Sequence, residues 1–411
     1  MKPYFIYISL LAVGLFATSC SSSTEEESKE EVSAGLPSDT TKLSLPNMSK
    51  EELHEAMYDH SEDFYRTYQG TVGDLDIQVN LVKTGSSLSG SYYYEKHGQP
   101  IDLSSGKLTP KGYFELTEYN ANVGKNTGSF TGRFIGGRIE AIWQNPGKDK
   151  KLDVQLETVQ ADPEERMTGE VFHRETINYY TPGDTTTPNY TQIYTVVLPS
   201  EGYSNESVET LYRSLEGFFG KQKVSGNPIQ SMENLRKENM QEYREALKPL
   251  MENEDMRNAA SLEWSSISKM EIVYNANGLL SCAWNYYDYT GGAHGNYGRS
   301  YHTYNLQTGE KLQLADIFKP GYEKQLQPML IAAVKEAKSI PPEKKLEDAG
   351  FYPEEVKPTQ SFFLTHKGIG FYYSPYEIAP YAAGGTEAFI PFSDCRDLLK
   401  DEAAWRENAA L

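Results

Sequence analysis

Between about residues 64 and 159 apolar and polar residues alternate with a period of two, and this pattern more than any other limits what the chain can fold into. Leu75, Ile77, Val79 and Leu81 alternate with polar neighbours, as do Leu152, Val154 and Leu156, while Ile139, Ala141 and Trp143 share one face. Successive side chains of a strand point to opposite sides, so each run buries a single face. Turn residues punctuate the pattern at Gly70 to Gly73, Gly85-Ser86, His97-Gly98, Lys111-Gly112, Lys125-Asn126 and Gly136-Gly137. The spacing predicts seven or eight short strands in an antiparallel meander, closed as a small barrel or packed as a sandwich.

An acidic, Pro-containing link, Gln160 to Glu165, ends this all-β region. Strand patterns return at Glu170 to Tyr180 and Tyr190 to Leu198. A helix then fits Val208, Leu211, Leu215 and Phe218 with Ser207 as N-cap, and residues 229 to 258 read as one or two exposed helices. Strands resume with Met270, Ile272 and Tyr274, then Leu280, Cys282, Trp284 and Tyr286. Leu326, Met329, Leu330, Ala333 and Val334 form one helical stripe, which is core. Strands around Ser361 to Tyr373 and Ala388 to Phe392 and a polar helix from Ser393 close the chain. Strand runs mixed with a few helices make the fold class α+β.

The ends and the charge bear on where such a chain works. The 39 Lys and Arg residues against 58 Asp and Glu give a net charge of −19, which argues against a nucleic-acid partner. The apolar run Phe5 to Ala17 is too short to span the roughly 30 Å of a bilayer core and reads as the h-region of a secretory signal. It leads into Ala17-Thr18-Ser19-Cys20, which resembles the lipobox of bacterial lipoproteins, with Ala17 where Leu is usual. That resemblance implies a signal peptide over 1–19, lipidation of Cys20 and an anchor in the membrane. The alternative is an ordinary cleaved signal followed by a chance cysteine. Residues 21–63 carry 12 acidic and three basic residues, a net of −9, and are expected to form a disordered acidic tether with Cys20. A capping box at Ser49 and Glu52 would add a short helix over Asn47 to Tyr65. The acidic run after the cysteine resembles the surface-export signal of Bacteroides-group lipoproteins; a plain solvated spacer is the other reading.

Chemistry has few places to reside. Three glycines surround one histidine in Tyr286-Tyr287-Asp288-Tyr289-Thr290-Gly291-Gly292-Ala293-His294-Gly295, a loop that needs a fixed shape. Two prolines stiffen a second aromatic loop, Tyr372 to Gly385, around Tyr376, Glu377 and Tyr381, which is suited to presenting rigid faces to a sugar or a protein. His294, Asp288, Tyr289, Tyr376, Glu377 and Tyr381 are therefore the candidate binding residues. His302, Asp288, Asp316 and Glu377 are the nearby metal-ligand types, without the spacing of a zinc hydrolase, so neither metal nor cofactor is expected. There is no Gly-x-Ser-x-Gly elbow, phosphate loop or dinucleotide fingerprint. Cys282 and Cys395 either pair or remain buried thiols.

Tyr289-Thr290-Gly291-Gly292-Ala293-His294-Gly295, Tyr304-Asn305-Leu306, Thr308-Gly309-Glu310, Leu314-Ala315-Asp316-Ile317-Phe318, Tyr376-Glu377-Ile378-Ala379-Pro380-Tyr381 and Ile390-Pro391 resemble the extracytoplasmic domain of the RsiV-like family. That family includes a lysozyme-sensing anti-sigma factor, and the same domain accompanies a peptidoglycan deacetylase. The resemblance implies an RsiV-like domain over 264–400, a companion α+β segment over 166–263, and a non-catalytic, envelope-facing module that binds lysozyme or peptidoglycan. The anti-sigma segment, its membrane helix and the deacetylase's catalytic domain have no counterpart here, so those roles are not expected. An envelope hydrolase using His294 with Asp288 or Glu377, and a structural module of a surface assembly, are the rival readings. The expected site is the outer membrane, surface-exposed or periplasmic. The 64–159 region is similar, through Gly90-Ser91-Tyr92-Tyr93-Tyr94 and Thr131-Gly132, to small all-β modules of secreted Bacteroides-type proteins.

Overall fold

The computed structural model describes residues 62–159, 165–200, 205–216, 228–252 and 259–400. Alternation over the first of these spans yields eight antiparallel strands: β1 (Phe64–Val72), β2 (Leu75–Thr84), β3 (Ser87–Tyr94), β4 (Ile101–Leu108), β5 (Tyr113–Asn120), β6 (Lys125–Ile135), β7 (Arg138–Gln144) and β8 (Lys151–Thr158). They pair in sequence order, and β1 closes on β8 with Tyr68 opposite Thr158, so the meander is a barrel rather than a sandwich. Closure removes both sheet edges. The barrel is filled by Tyr68, Val72, Leu81, Leu88, Tyr92, Phe114, Leu116, Phe130 and Phe134, among others. Two glycines let neighbouring strands approach: a Cβ on Gly90 would lie 1.9 Å from the Asn80 carbonyl oxygen, and one on Gly70 1.9 Å from that of Gln155. Gly90→Ala is therefore expected to lower unfolding free energy by about 1–3 kcal/mol through overpacking, measured by urea denaturation.

A five-stranded sheet follows in the order β13-β12-β11-β10-β9, built from β9 (Gly169–Tyr179), β10 (Asn189–Pro199), β11 (Trp264–Ala276), β12 (Leu279–Tyr289) and β13 (Asn296–Asn305). Only β10 and β11 run parallel, and the segment between them carries helices α1 (Asn205–Glu216) and α2 (Pro228–Met251). The sheet thus takes strands from both sides of position 263. Helix α1 begins before Ser207, whose hydroxyl donates to the Gln307 carbonyl instead of capping the helix. Over Pro228–Met251 the chain is one helix, not fully exposed, because Met232, Met240, Tyr243 and Leu247 are buried; residues 253–258 lie outside the described residues.

The last unit is a three-stranded sheet, β14 (Phe362–Leu364), β15 (Gly368–Tyr373) and β16 (Thr386–Pro391), with helix α3 (Glu323–Ala337). The α3 stripe is core as expected, with Leu326, Leu330, Ala333 and Val334 buried and Met329 packed against them. In place of the polar helix expected from Ser393, the described residues form a short helical turn, Phe392–Cys395, with Phe392 and Cys395 buried, followed by a 3-10 turn, Arg396–Leu398; the remainder of that expected helix, past 400, lies outside the described residues. Cys282 and Cys395 are free thiols in different core clusters, so the pairing alternative fails. Burial pushes both thiols above their ordinary range. The expected helix at 47–65 and the acidic tether lie outside the described residues up to 61, and Phe64 and Tyr65 belong to β1.

The barrel packs directly on the rest. Tyr93 leaves the barrel wall to lie against Tyr274 and His366, at ring-centroid distances of 5.5 and 5.6 Å. The Ser91 hydroxyl donates to the Ile272 carbonyl, and the Asn275 side-chain amide donates to the Tyr65 hydroxyl. These buried polar partners fix one docking geometry, since each would be costly left unpaired.

Candidate functional site

The two aromatic loops meet. Tyr287 and Tyr297 face each other across β12 and β13 in direct register. Tyr381 packs edge-on against Tyr297 at 5.8 Å and stacks on Tyr376 at 5.6 Å and on His294 at 6.4 Å. Tyr287, Tyr297 and Tyr376 are each more than a third exposed, so this is a surface ledge rather than a core. Burial and the neighbouring Tyr297 push the Tyr381 phenol up to about 12.

Local chemistry holds the ledge in shape. A Cβ on Gly295 would lie 2.5 Å from the Tyr287 ring, so the ring lies flat over the glycine. Gly291 and Gly292 sit at φ 88° and 94°, a left-handed region that L side chains avoid. The Tyr289 hydroxyl donates to the Gly292 carbonyl at 3.0 Å, closing that loop on itself. In the second loop Glu377 Oε2 accepts from the Ser374 amide at 2.9 Å, while Ile378 and Ala379 are buried beneath. Tyr376 between them has φ 73°, a strained conformation for a bulky side chain. Strain of this kind persists only where its surroundings enforce it, and here it holds an exposed ring in place.

Of the sequence candidates, His294, Tyr376 and Tyr381 converge, with Tyr289 bracing the loop. Asp288 goes elsewhere: its Oδ1 accepts from the Ser266 hydroxyl at 2.6 Å, which itself lies 2.7 Å from the Tyr190 hydroxyl, on the opposite sheet face from Tyr287. Burial raises the Asp288 and Glu377 carboxyls above the usual range. Neither is hydrogen-bonded to His294, whose Nδ1 donates to the Gly295 carbonyl at 3.0 Å. The metal-ligand candidates also disperse. His302 lies against Ser300 and Tyr304, its pKa lowered to about 4 by burial, and Asp316 caps a helical turn through the Gln313 amide. Among the described residues no three His, Cys, Asp or Glu side chains gather as a metal site.

Beside the ledge is a cleft of about 550 Å³ between the barrel and the two sheets, walled by Asp102, Tyr119, Asn122, Tyr297, Tyr372 and Gly385. At its base Arg299 Nη1 meets Asp102 Oδ2 at 2.8 Å and the Tyr301 hydroxyl at 3.0 Å, Nη2 meets Glu271 Oε2 at 3.3 Å, and Nε donates to Asn285 at 2.6 Å. The Tyr301 hydroxyl donates to Glu387. Lys338 ties the rim together by donating to the carbonyls of Asn122, Ala383 and Gly385 at 2.8 to 3.0 Å. Two carboxylates, Asp102 and Glu271, therefore share one guanidinium, and Glu387 is linked to it through the Tyr301 hydroxyl. Desolvation, with the Asp102 charge adding to it, pushes Glu387 up to about 7 from 4.5.

Because the folded-state pKa of Glu387 exceeds the unfolded value, the folded state binds more protons between pH 4.5 and about 7, and stability falls as pH rises through that window. Glu387→Gln keeps an acceptor for Tyr301 and removes the charge. It is expected to match the wild type near pH 4.5 and to exceed it by on the order of 2 kcal/mol at pH 8, read from urea unfolding at both values. This network was not visible as a site in the sequence. The one local signal was Arg299 within the strand alternation Tyr297, Arg299, Tyr301, a charge on a face otherwise aromatic.

Fold and site together define an α+β protein with a β-barrel and a preorganised aromatic surface beside an acidic cleft. Residues 315–393 match the family described as "Protein of unknown function (DUF3298)", and residues 204–297 match the family described as "Deacetylase PdaC"; the barrel lies outside both segments. RsiV-like domains are in this group. Among solved structures, a DUF3298 family member from Bacteroides fragilis is similar over 60% of this chain and 100% of its own, with 25% identity and a TM-score of 0.53. A DUF3298 family protein from Pseudomonas aeruginosa aligns over 58% of this chain and 97% of its own at 19% identity, with a TM-score of 0.42. No curated protein matches the chain.

Proposed function

We propose that this chain is a non-catalytic binding protein of the bacterial cell envelope, lipid-anchored to the outer membrane through Cys20, whose tyrosine ledge recognises a lysozyme-like protein or peptidoglycan. The observation that carries the reading is the convergence of Tyr287, His294, Tyr297, Tyr376 and Tyr381 on one exposed, backbone-locked surface. Rigid tyrosines supply contact area at small entropic cost and suit both protein and sugar faces. The acidic cleft beside the ledge favours a basic partner, which lysozyme is, and the likeness to the DUF3298 and PdaC groups supports an envelope setting.

The match to a family described as a deacetylase raises a hydrolytic reading. Against it, His294 is hydrogen-bonded to neither Asp288 nor Glu377, each of which is engaged with a partner of its own. Calorimetric titration with lysozyme and with soluble peptidoglycan fragments tests the proposal: saturable binding of either supports it, and binding of neither refutes it. Labelled palmitate is expected to enter the wild type and not Cys20→Ala; equal labelling of both would remove the anchor.

A further inference from the structure

The mouth of the barrel holds a second cavity, of about 340 Å³, that the tyrosine ledge does not use. Barrel interiors of eight strands are filled by side chains, and their mouths are recurrent ligand sites. Here the filling stops at Glu118. Glu118 Oε2 accepts from the Tyr92 hydroxyl at 2.7 Å and from the Trp143 indole at 2.8 Å. The residue is only 6% exposed, yet Oε1 takes no hydrogen bond among the described residues and is left for the cavity that Glu118 lines. Gly128 is required beside it, since a Cβ there would lie 2.4 Å from the Trp143 indole nitrogen.

The remaining wall gives the site its chemistry. Asp102 and Glu387 also line it, Tyr94 and Tyr119 supply aromatic surface, and His97 is the one basic residue type in the wall, with no lysine or arginine. The nearest guanidinium, Arg299, is already spent on Asp102, Glu271, Asn285 and Tyr301. A carboxylate buried without a counter-charge is costly, and a cation that completes its hydrogen bonds relieves that cost. Tyrosine faces add attraction for the same charge.

We propose that the barrel mouth is a second ligand site, taking an organic ammonium group with Glu118 as its buried counter-ion and Asp102 and Glu387 in the same wall. Twelve of the thirteen lining residues belong to the barrel and one, Glu387, to the segment similar to DUF3298, so the docked segment completes one side of the site. The cavity suits a molecule the size of one amino sugar or a short aliphatic diamine.

The test is titration of the full chain with glucosamine, cadaverine and N-acetylglucosamine, read by calorimetry and by the Trp143 indole N–H resonance. At least one of the two amines is expected to bind saturably, more weakly in high salt, and to move that resonance, while N-acetylglucosamine does neither. Binding of glucosamine alone assigns an amino sugar, and binding of cadaverine alone an aliphatic amine. Glu118→Gln keeps the acceptor for Tyr92 and Trp143 and is expected to weaken amine binding about tenfold or more. Ala121→Arg adds a cation at an exposed rim position and is expected to do the same, independently of any folding defect in Glu118→Gln. Failure of both amines to bind, equal binding of the N-acetylated sugar, or undiminished amine affinity in both folded variants overturns the proposal.

Discussion

Arg299→Ala is expected to lower the free energy of unfolding by about 3–5 kcal/mol, the usual result of removing one partner from a buried ion cluster. The Arg299 side chain is 15% exposed, and its partners Asp102 and Glu271 are 18% and 19% exposed, so water recovers little of the lost interaction. Removing it leaves Asp102 and Glu271 without their shared cation, and Glu387 close by through Tyr301. Glu271 and Glu387 are already raised by desolvation, and losing the guanidinium raises them further. Groups whose folded pKa lies above the unfolded one cost stability at high pH and release it as pH falls through the folded value. The deficit should therefore be largest at pH 8 and shrink towards pH 5. Arg213→Ala, which removes an exposed helical pair with Glu209, serves as the control and should change stability by less than about 0.5 kcal/mol. Urea unfolding with an unchanged slope measures both; a loss below about 1 kcal/mol for Arg299→Ala at pH 8 would show that the cluster does not hold the barrel in place.

Tyr381→Ala should weaken binding of the lysozyme or peptidoglycan ligand by about 2 kcal/mol or more, roughly 30-fold, while leaving the melting transition nearly unchanged. Tyr381 is the ring that touches His294, Tyr297 and Tyr376 together, so its loss removes a contact face and the support of its neighbours. It is not part of a buried cluster, which separates the binding effect from folding. Tyr381→Phe keeps the ring stack and should stay within a few-fold of the wild type. Unchanged affinity in Tyr381→Ala, measured against a ligand that binds the wild type, would move the recognition surface elsewhere.

What was legible in advance follows from range. The barrel strands were readable because Leu75 to Leu81 and Leu152 to Leu156 alternate within a single strand each, and five of the six turns fell where glycine permitted them. The turn placed at Lys125-Asn126 lies at Ala121 to Gly124 instead, since Lys125 already pairs with Asn120. The α3 stripe was legible for the same local reason. Ser207 misled because a serine before an apolar run looks like a cap, whereas its hydroxyl is taken by Gln307, 100 residues away. Among the described residues, rings such as Tyr68, Tyr92, Tyr274 and Tyr304 fill cores, whereas Tyr287, Tyr297, Tyr376 and Tyr381 form the ledge.

The sequence by itself determined the alternation that makes a barrel, the α+β character of the remainder, and two stiff aromatic loops that needed fixed shapes. Only the tertiary structure decided that those loops meet at Tyr381, that Asp288 turns to the far face, and that Arg299 finds Asp102 across 197 residues of chain. Period and turn chemistry are set by neighbours within a few bonds along the backbone. The partner of a buried charge is set by which surfaces are forced together when the barrel docks, and that information is distributed over the whole packed interface.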